Sequence, residues 1–296
     1  MTVFKVRSAL TGVKIEEVMH KMIKRDSYQT PIDDCIRSMI KLRNNFVLVD
    51  DNHGLPAGVI TKKDIMTSYY SGIPVQTPLS EIMMGPLLFC FPDDRIEDII
   101  DIMQRDDVQR VLVYGADSSE IVGLLDYSAI IGLLYRYCRV CDKSMWQTEV
   151  NVETTPTNIK IKDVVIEGAS TCNEENTISS VIELLLTTGS GAALIVDNNM
   201  NHTGVISKTD LMIAYMQGIS PDQPAKNIMS GPVVSCGSSI LLTEAIQLML
   251  ISDIQQLYVK APDTESIEGQ LSISRAARQH SGTCRACIAS LMLERV

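Results

Sequence analysis

The phrase GVITKKD at residues 58–64 returns as GVISKTD at residues 204–210, an offset of 146 residues in a chain of 296. Held at that single offset, the chain matches itself along its length. Lys14 and Ile15 meet Lys160 and Ile161, Tyr69 and Gly72 meet Tyr215 and Gly218, and Gly85 and Pro86 meet Gly231 and Pro232. CRVC at 138–141 meets CRAC at 284–287. A register that never slips over such a distance identifies an internal duplication. Whatever one half folds into, the other half folds into as well.

Each half divides again, more weakly. IDDCIRSMIKL, FVLVD, the turn DNHGLPA, GVI and a helical stretch from Lys62 make up the first quarter. In the second quarter a helical stripe of Ile96, Ile99, Ile100 and Met103 is followed by the apolar runs RVLVY and IVGLL, which have the length of strands. The third and fourth quarters repeat the order. Four units therefore share helix, strand, turn, strand, helix, each after a short extended lead-in. The expected fold class is α/β (α+β), built as tandem repeats of small sheets with two packed helices each.

The polar stretch DKSMWQTEVNVETTPTN, interrupted by Pro156, sets the domain boundary near residue 150. The halves are 1–146, with units near 14–73 and 78–138, and 147–296, with units near 160–219 and 224–284. The one tryptophan, Trp146, is expected to pack on a domain surface.

Charge and composition narrow the function. The net charge is −10 and Lys and Arg are scattered, so no basic block can neutralise a track of phosphates on nucleic acid or an anionic membrane. A single small anion remains within reach of a few backbone N–H groups and one or two cations. Aromatic residues make up only 5% of the chain, so the cores must be aliphatic and rich in methionine. No apolar run approaches the roughly 18–20 residues that cross a bilayer. The N-terminus lacks the apolar segment and small-residue cleavage site of a secretory signal, and a cytoplasmic protein is expected.

The repeated unit, with G-h-h-[ST]-x-x-D (h apolar) where its second strand enters its last helix, resembles the CBS (cystathionine-β-synthase) domain. IEEVM, LSEIMMGP, IKDVV and AKNIMSGP look like the lead-in of the same family. The resemblance covers almost the whole chain. It implies four CBS units in two Bateman-type modules, each with a pseudo-twofold axis, and a regulatory rather than enzymatic protein.

The phrase itself carries two readings. Thr61 with Asp64, and Ser207 with Asp210, have the spacing of a helix capping box, which needs no ligand. The second unit reads GLLDYSA, with Asp126 at the cap and Ala129 in place of the acid. The fourth reads GQLSISR, with Ser272 and Arg275. A capping side chain thus survives in every unit, whereas the acid survives in two. A helix N-terminus also favours phosphate, and a carboxylate one turn in can accept from both hydroxyls of a ribose.

In the resembled family adenosine ligands sit in this way, with adenine in the apolar cleft between paired units. Carried over, Asp64 and Asp210 take ribose, Thr61 and Ser207 contact phosphate, and Gly58 and Gly204 belong to the same site. Ala129 cannot hold a ribose and Asp126 would repel a phosphate, so at most one competent site per module is expected. Arg275 is assigned to a phosphate in the neighbouring unit's site. Lys62, Lys63 and Lys208 are expected to be solvated surface lysines, with a phosphate contact as the alternative. The ligands implied are AMP, ADP or ATP, with S-adenosylmethionine or NAD as alternatives. The regulated protein target is unknown, and homodimerisation is open.

Cysteine gives the competing reading. Cys90, Cys172 and Cys236 share one place at the end of the lead-in, where burial as small apolar residues is expected. Cys138 with Cys141, and Cys284 with Cys287, are spaced to share a helix face. If the two pairs meet they supply four thiolates, suited to Zn²⁺ or an iron–sulfur cluster; alternatively each pair cycles as a disulfide, or the four pack as ordinary side chains. In the first two cases the CBS units would be a scaffold. His53 and His202 fall in hairpin turns and add nothing to such a site. No nucleophile–base signature, P-loop or HExxH appears; GSG at 189–191 lies between a helix and a strand.

Overall fold

The protein is described by a computed structural model covering residues 12–84, 88–115, 120–135, 160–262 and 264–281. Four helices open the four units: α1 (Ile32–Lys41), α3 (Ile96–Arg105), α5 (Ile178–Thr188) and α7 (Leu242–Ile251). Each buries the first, fourth, fifth and eighth of its residues. These are Ile32, Cys35, Ile36 and Met39 in α1, and Ile96, Ile99, Ile100 and Met103 in α3. In α5 they are Ile178, Val181, Ile182 and Leu185, and in α7 Leu242, Ala245, Ile246 and Met249. That spacing is one face of a helix. Each helix also stops alike, shortly before a left-handed residue: Arg43 (φ 52°), Asp107 (φ 49°), Gly189 (φ 69°) or Asp253 (φ 53°). GSG is therefore a helix stop, as its position between helix and strand implied.

Each sheet places a short lead strand parallel to the central strand of a hairpin. The first sheet is β1 (Arg25–Ser27), β2 (Phe46–Asp50) and β3 (Pro56–Thr61), and the second β4 (Phe89–Cys90), β5 (Arg110–Tyr114) and β6 (Ile121–Asp126). The third is β8 (Thr171–Asn173), β9 (Ala192–Val196) and β10 (His202–Ser207). The fourth is β11 (Ser235–Gly237), β12 (Gln256–Lys260) and β13 (Ile267–Ser272), with β7 (Ile166–Glu167) added along β13. His202 thus opens a strand instead of lying in the turn. The closing helices are α2 (Lys62–Tyr70), α4 (127–135), α6 (Lys208–Met216) and α8 (Ile273–Ser281).

The lead-ins do not stay with the units they precede. Ile15 N donates to Asp94 O, and His20 exchanges two backbone hydrogen bonds with Leu124 of β6, so the segment ahead of the first unit docks on the second. In return Leu79 N donates to Thr30 O, and Met84 exchanges two bonds with Val59 of β3. The second half repeats the exchange, with β7 on β13 and Ser230 on Val205 of β10. Segments 14–73 and 78–138 are consecutive in sequence but interlaced in space, which the boundaries drawn from sequence did not show.

Two large cores follow from the helices. One combines α1 and α2 with α5 and α6, uniting the first and third units; the other unites the second and fourth through α3, α4, α7 and α8. Smaller clusters join sheet to sheet within each half: Phe46, Leu48 and Val59 against Leu112, Ile121 and Leu124, and Leu194 and Val196 against Tyr258. Each unit thus has a helical neighbour in the other half and a sheet neighbour in its own.

Candidate functional site

In every unit the cap residue ends the second hairpin strand, directly opposite the first residue of the central strand. The pairs are Thr61 with Phe46, Asp126 with Arg110, Ser207 with Ala192, and Ser272 with Gln256. Strand register therefore fixes where each closing helix begins.

The capping box forms in both units that keep the acid. Asp64 Oδ2 accepts from Thr61 N (2.8 Å) and Thr61 Oγ1 (2.7 Å), while the hydroxyl accepts from Lys63 N (3.2 Å). Asp210 Oδ2 accepts from Ser207 N (2.7 Å) and Ser207 Oγ (2.6 Å), and Asp210 N donates to Ser207 Oγ (3.3 Å). Both bonds fall on one oxygen of each carboxylate. Oδ1 of Asp64 and of Asp210 accepts nothing from the described residues. The cap therefore uses one oxygen of each carboxylate and leaves the other open among the described residues.

The other two units resolve differently. Asp126 Oδ1 accepts from Ala129 N (2.9 Å) and Ser128 Oγ (2.5 Å), and His20 Nε2 from the crossed lead-in lies 3.3 Å away. Burial pushes this carboxyl up, but the bonds from His20, Ser128 and Ala129 outweigh it and hold it down at about 2. Beside it lies a cavity of about 210 Å³, bordered by His20, Phe46, Asp126, Ser128, Asp253 and Ile273. That is below the range typical of small-molecule sites. In the fourth unit Ser272 Oγ caps Arg275 N (3.3 Å), and Arg275 Nε donates to Val164 O (2.5 Å), fastening the crossed lead-in. The guanidinium assigned to a phosphate thus holds backbone at its Nε.

The motif glycine has a packing reason in all four units. A Cβ on Gly58 would lie 2.9 Å from Met83 Sδ, on Gly123 2.3 Å from Met19 Sδ, on Gly204 2.9 Å from Ser230 O and on Gly269 2.6 Å from Ile166 O. The crossing lead-in runs over this position each time. Glycine is needed there with or without the acid, so Gly58 and Gly204 carry no information about a ligand.

The structure adds a cation cluster that sequence reasoning undervalued. Lys62 and Lys208, the first residues of α2 and α6, are half-buried and not solvated surface lysines. Lys62 Nζ donates to Thr209 Oγ1 (2.8 Å) across the pseudo-twofold, so it sits at the first turn of the other half's helix. Arg110 leaves its own unit and lies over the Phe46 ring, 5.7 Å from its centre, with Nε buried and unpaired. No carboxylate of the described residues forms an ion pair with any of the three. Burial lowers the pKa of Lys62, and that of Arg110 despite the field of Asp126 and Asp64. Lys208 is pushed down to about 8 by burial and by Arg110, Lys63 and Lys62. Lys62 and Lys208 thus stand at two helix N-termini, where the helix dipole favours negative charge.

The CBS domain model matches residues 12–71, 79–136 and 159–217, more than half of the sequence. The chain belongs to the CBS domain family. A curated relative, the uncharacterized protein MJ1225 of Methanocaldococcus jannaschii, is 20% identical over 199 residues, spanning 67% of this chain and 68% of the relative. The crystal structure of MJ1225, proposed as an archaeal homolog of g-AMPK, superposes with a TM-score of 0.73 at 16% identity, over 90% of this chain and 99% of that one. An uncharacterized conserved protein from Pyrococcus horikoshii superposes with a TM-score of 0.58 at 17% identity, over 90% and 100%. At these identities the likeness to the two structures is one of fold.

Cys90, Cys172 and Cys236 sit on β4, β8 and β11 opposite Val113, Ile195 and Val259, packed as small apolar residues. Burial pushes the Cys90 thiol up to about 12 and that of Cys236 to about 11. Such thiols are poor nucleophiles. Cys138, Cys141, Cys284, Cys287 and Trp146 lie outside the described residues. Among the described residues no group of three or more His, Cys, Asp or Glu side chains could hold a metal ion, and no helix is long and apolar enough to cross a membrane.

Proposed function

We propose that this CBS-domain protein is a regulatory binding protein for an adenosine-containing ligand, AMP, ADP or ATP before S-adenosylmethionine or NAD, and that it is not an enzyme. The observation that carries this reading is an open carboxylate oxygen at each cap together with cations that no carboxylate of the described residues neutralises. Oδ1 of Asp64 and of Asp210 can accept from a ribose while Oδ2 keeps the cap. Lys62, Lys208 and Arg110 would then take a phosphate of the same nucleoside. Two sites per chain follow, one per half; Asp126 and Arg275 take no part. Ligand binding between interlaced units would shift their orientation, and a protein partner would read the shift. The four cysteines of the CxxC pairs carry no part of this reading.

Asn at the acid position separates ligand grip from helix cap, because the amide oxygen still accepts from the cap backbone. Calorimetric titration of AMP, ATP and S-adenosylmethionine should find two sites in the wild type. Asp64→Asn and Asp210→Asn should each weaken one of them by about tenfold or more, with thermal stability changed by less than about 1 kcal/mol. Undiminished binding by the double variant would reject the ribose role.

A further inference from the structure

The closing helices α2 and α6 are locked to one another at both ends. Near their C-termini the Tyr69 and Tyr215 rings stack at 4.9 Å. Tyr69 OH donates to Ile219 O (2.7 Å), and Tyr215 OH donates to Ile73 O. Near their N-termini Lys62 of α2 reaches Thr209 of α6. The two acid-bearing caps therefore face one small volume, and the cations in it are not divided between them. Lys62 follows one cap and bonds beside the other. Lys208 precedes Thr209, the residue that Lys62 bonds, and feels the charges of Arg110, Lys63 and Lys62. Arg110 comes from the second unit, one of the two that lack the acid, and its buried Nε has no partner among the described residues. There is one cluster for two sites.

We propose that the two nucleotide sites share this single set of phosphate-binding cations, so that a phosphate seated at either cap lowers the affinity of the other. This rests on the nucleotide reading above. The first phosphate neutralises charge that both helix N-termini would draw upon, and the second must then bind beside an anion. The penalty grows with the charge that the ligand brings to the centre and vanishes for a nucleoside without phosphate. A like charge about 10 Å away in a half-buried setting is worth roughly tenfold in affinity. The anion also favours the charged form of Lys208, which burial and the neighbouring cations disfavour. Binding should therefore take up protons from solution.

Titrations with adenosine, AMP and ATP test this directly. Adenosine should give two equivalent sites, AMP two sites a few-fold apart, and ATP two sites separated by about tenfold or more. Asp64→Asn and Asp210→Asn should each leave one site with the affinity of the first ATP event and weaken the second event by about a further tenfold or more. Lys62→Met should weaken ATP binding at both caps, although it alters one helix. Calorimetry near pH 8 in buffers of different ionisation heat should show proton uptake with ATP that Lys208→Arg abolishes. Equal spacing of the two events for adenosine and ATP, or a Lys62→Met effect confined to one site, would overturn the sharing while leaving the nucleotide reading intact. No binding of any of the three ligands to folded wild type would remove the nucleotide reading and the coupling with it.

Discussion

Asp126 stands where its three counterparts carry a hydroxyl, and the exchange changes what that residue does. Thr61, Ser207 and Ser272 are neutral caps; Asp126 is an ionised, buried one, matched by His20 from the crossed lead-in. The hydrogen bond to Asp126 raises the His20 pKa against the opposing effect of burial. A raised histidine contributes stability in full below its ordinary value of 6.5 and loses it as pH climbs through the raised value. The depressed Asp126 contributes in full above its ordinary 3.8 and loses it as pH falls toward about 2. Urea unfolding of the wild type and His20→Asn should therefore differ more at about pH 5.5 than at about pH 8.5. An equal difference at both would mean that the pair is not coupled to folding.

Among elements, the crossed lead-ins matter most, because they turn consecutive segments into an interlaced pair. The cost of blocking a crossing depends on what the new methyl meets. At Gly269 it meets the Ile166 carbonyl at 2.6 Å, which is backbone and cannot step aside. At Gly123 the nearest atom is Met19 Sδ at 2.3 Å, which belongs to a flexible side chain, while His20 O is 3.3 Å away. Gly269→Ala should destabilise by about 1–3 kcal/mol and Gly123→Ala by less, as read from urea midpoints at constant m. The reverse order would show that the lead-in at β13 moves more easily than its backbone contact implies. The motif that looked like a ligand signature was legible in sequence; that its glycine answers to a neighbouring segment was not, because the segment lies more than 20 residues away along the chain.

For the whole molecule, the two halves are held by helix faces that sequence showed to be apolar without showing their partners. The reciprocal tyrosines are the sharpest case. Each hydroxyl crosses to the carbonyl of an isoleucine in the other half, and the rings stack between them. Tyr69→Phe and Tyr215→Phe keep the stack and leave Ile219 O or Ile73 O without this donor. Each should cost about 1 kcal/mol, and the double variant should depart from their sum by about 0.5 kcal/mol or more, because the two rings are in contact. Differential scanning calorimetry checks this: a double variant as stable as the wild type would remove the hydroxyls from the inter-half contact.

The 146-residue repeat, the stripe on each opening helix, the strand pairs and the cap spacing were all determined by sequence, because each is a local pattern within about a dozen residues or a comparison of the chain with itself. The same holds for the loss of the acid in two units. Tertiary structure alone decided which lead-in lies on which sheet, which helices share a core, and that Lys62, Lys208 and Arg110 gather in one half-buried volume. Nothing along the chain distinguishes a lysine bound for solvent from one bound for a neighbour's helix terminus. Local periodicity fixes which face is buried, and only the packing of distant segments fixes against what.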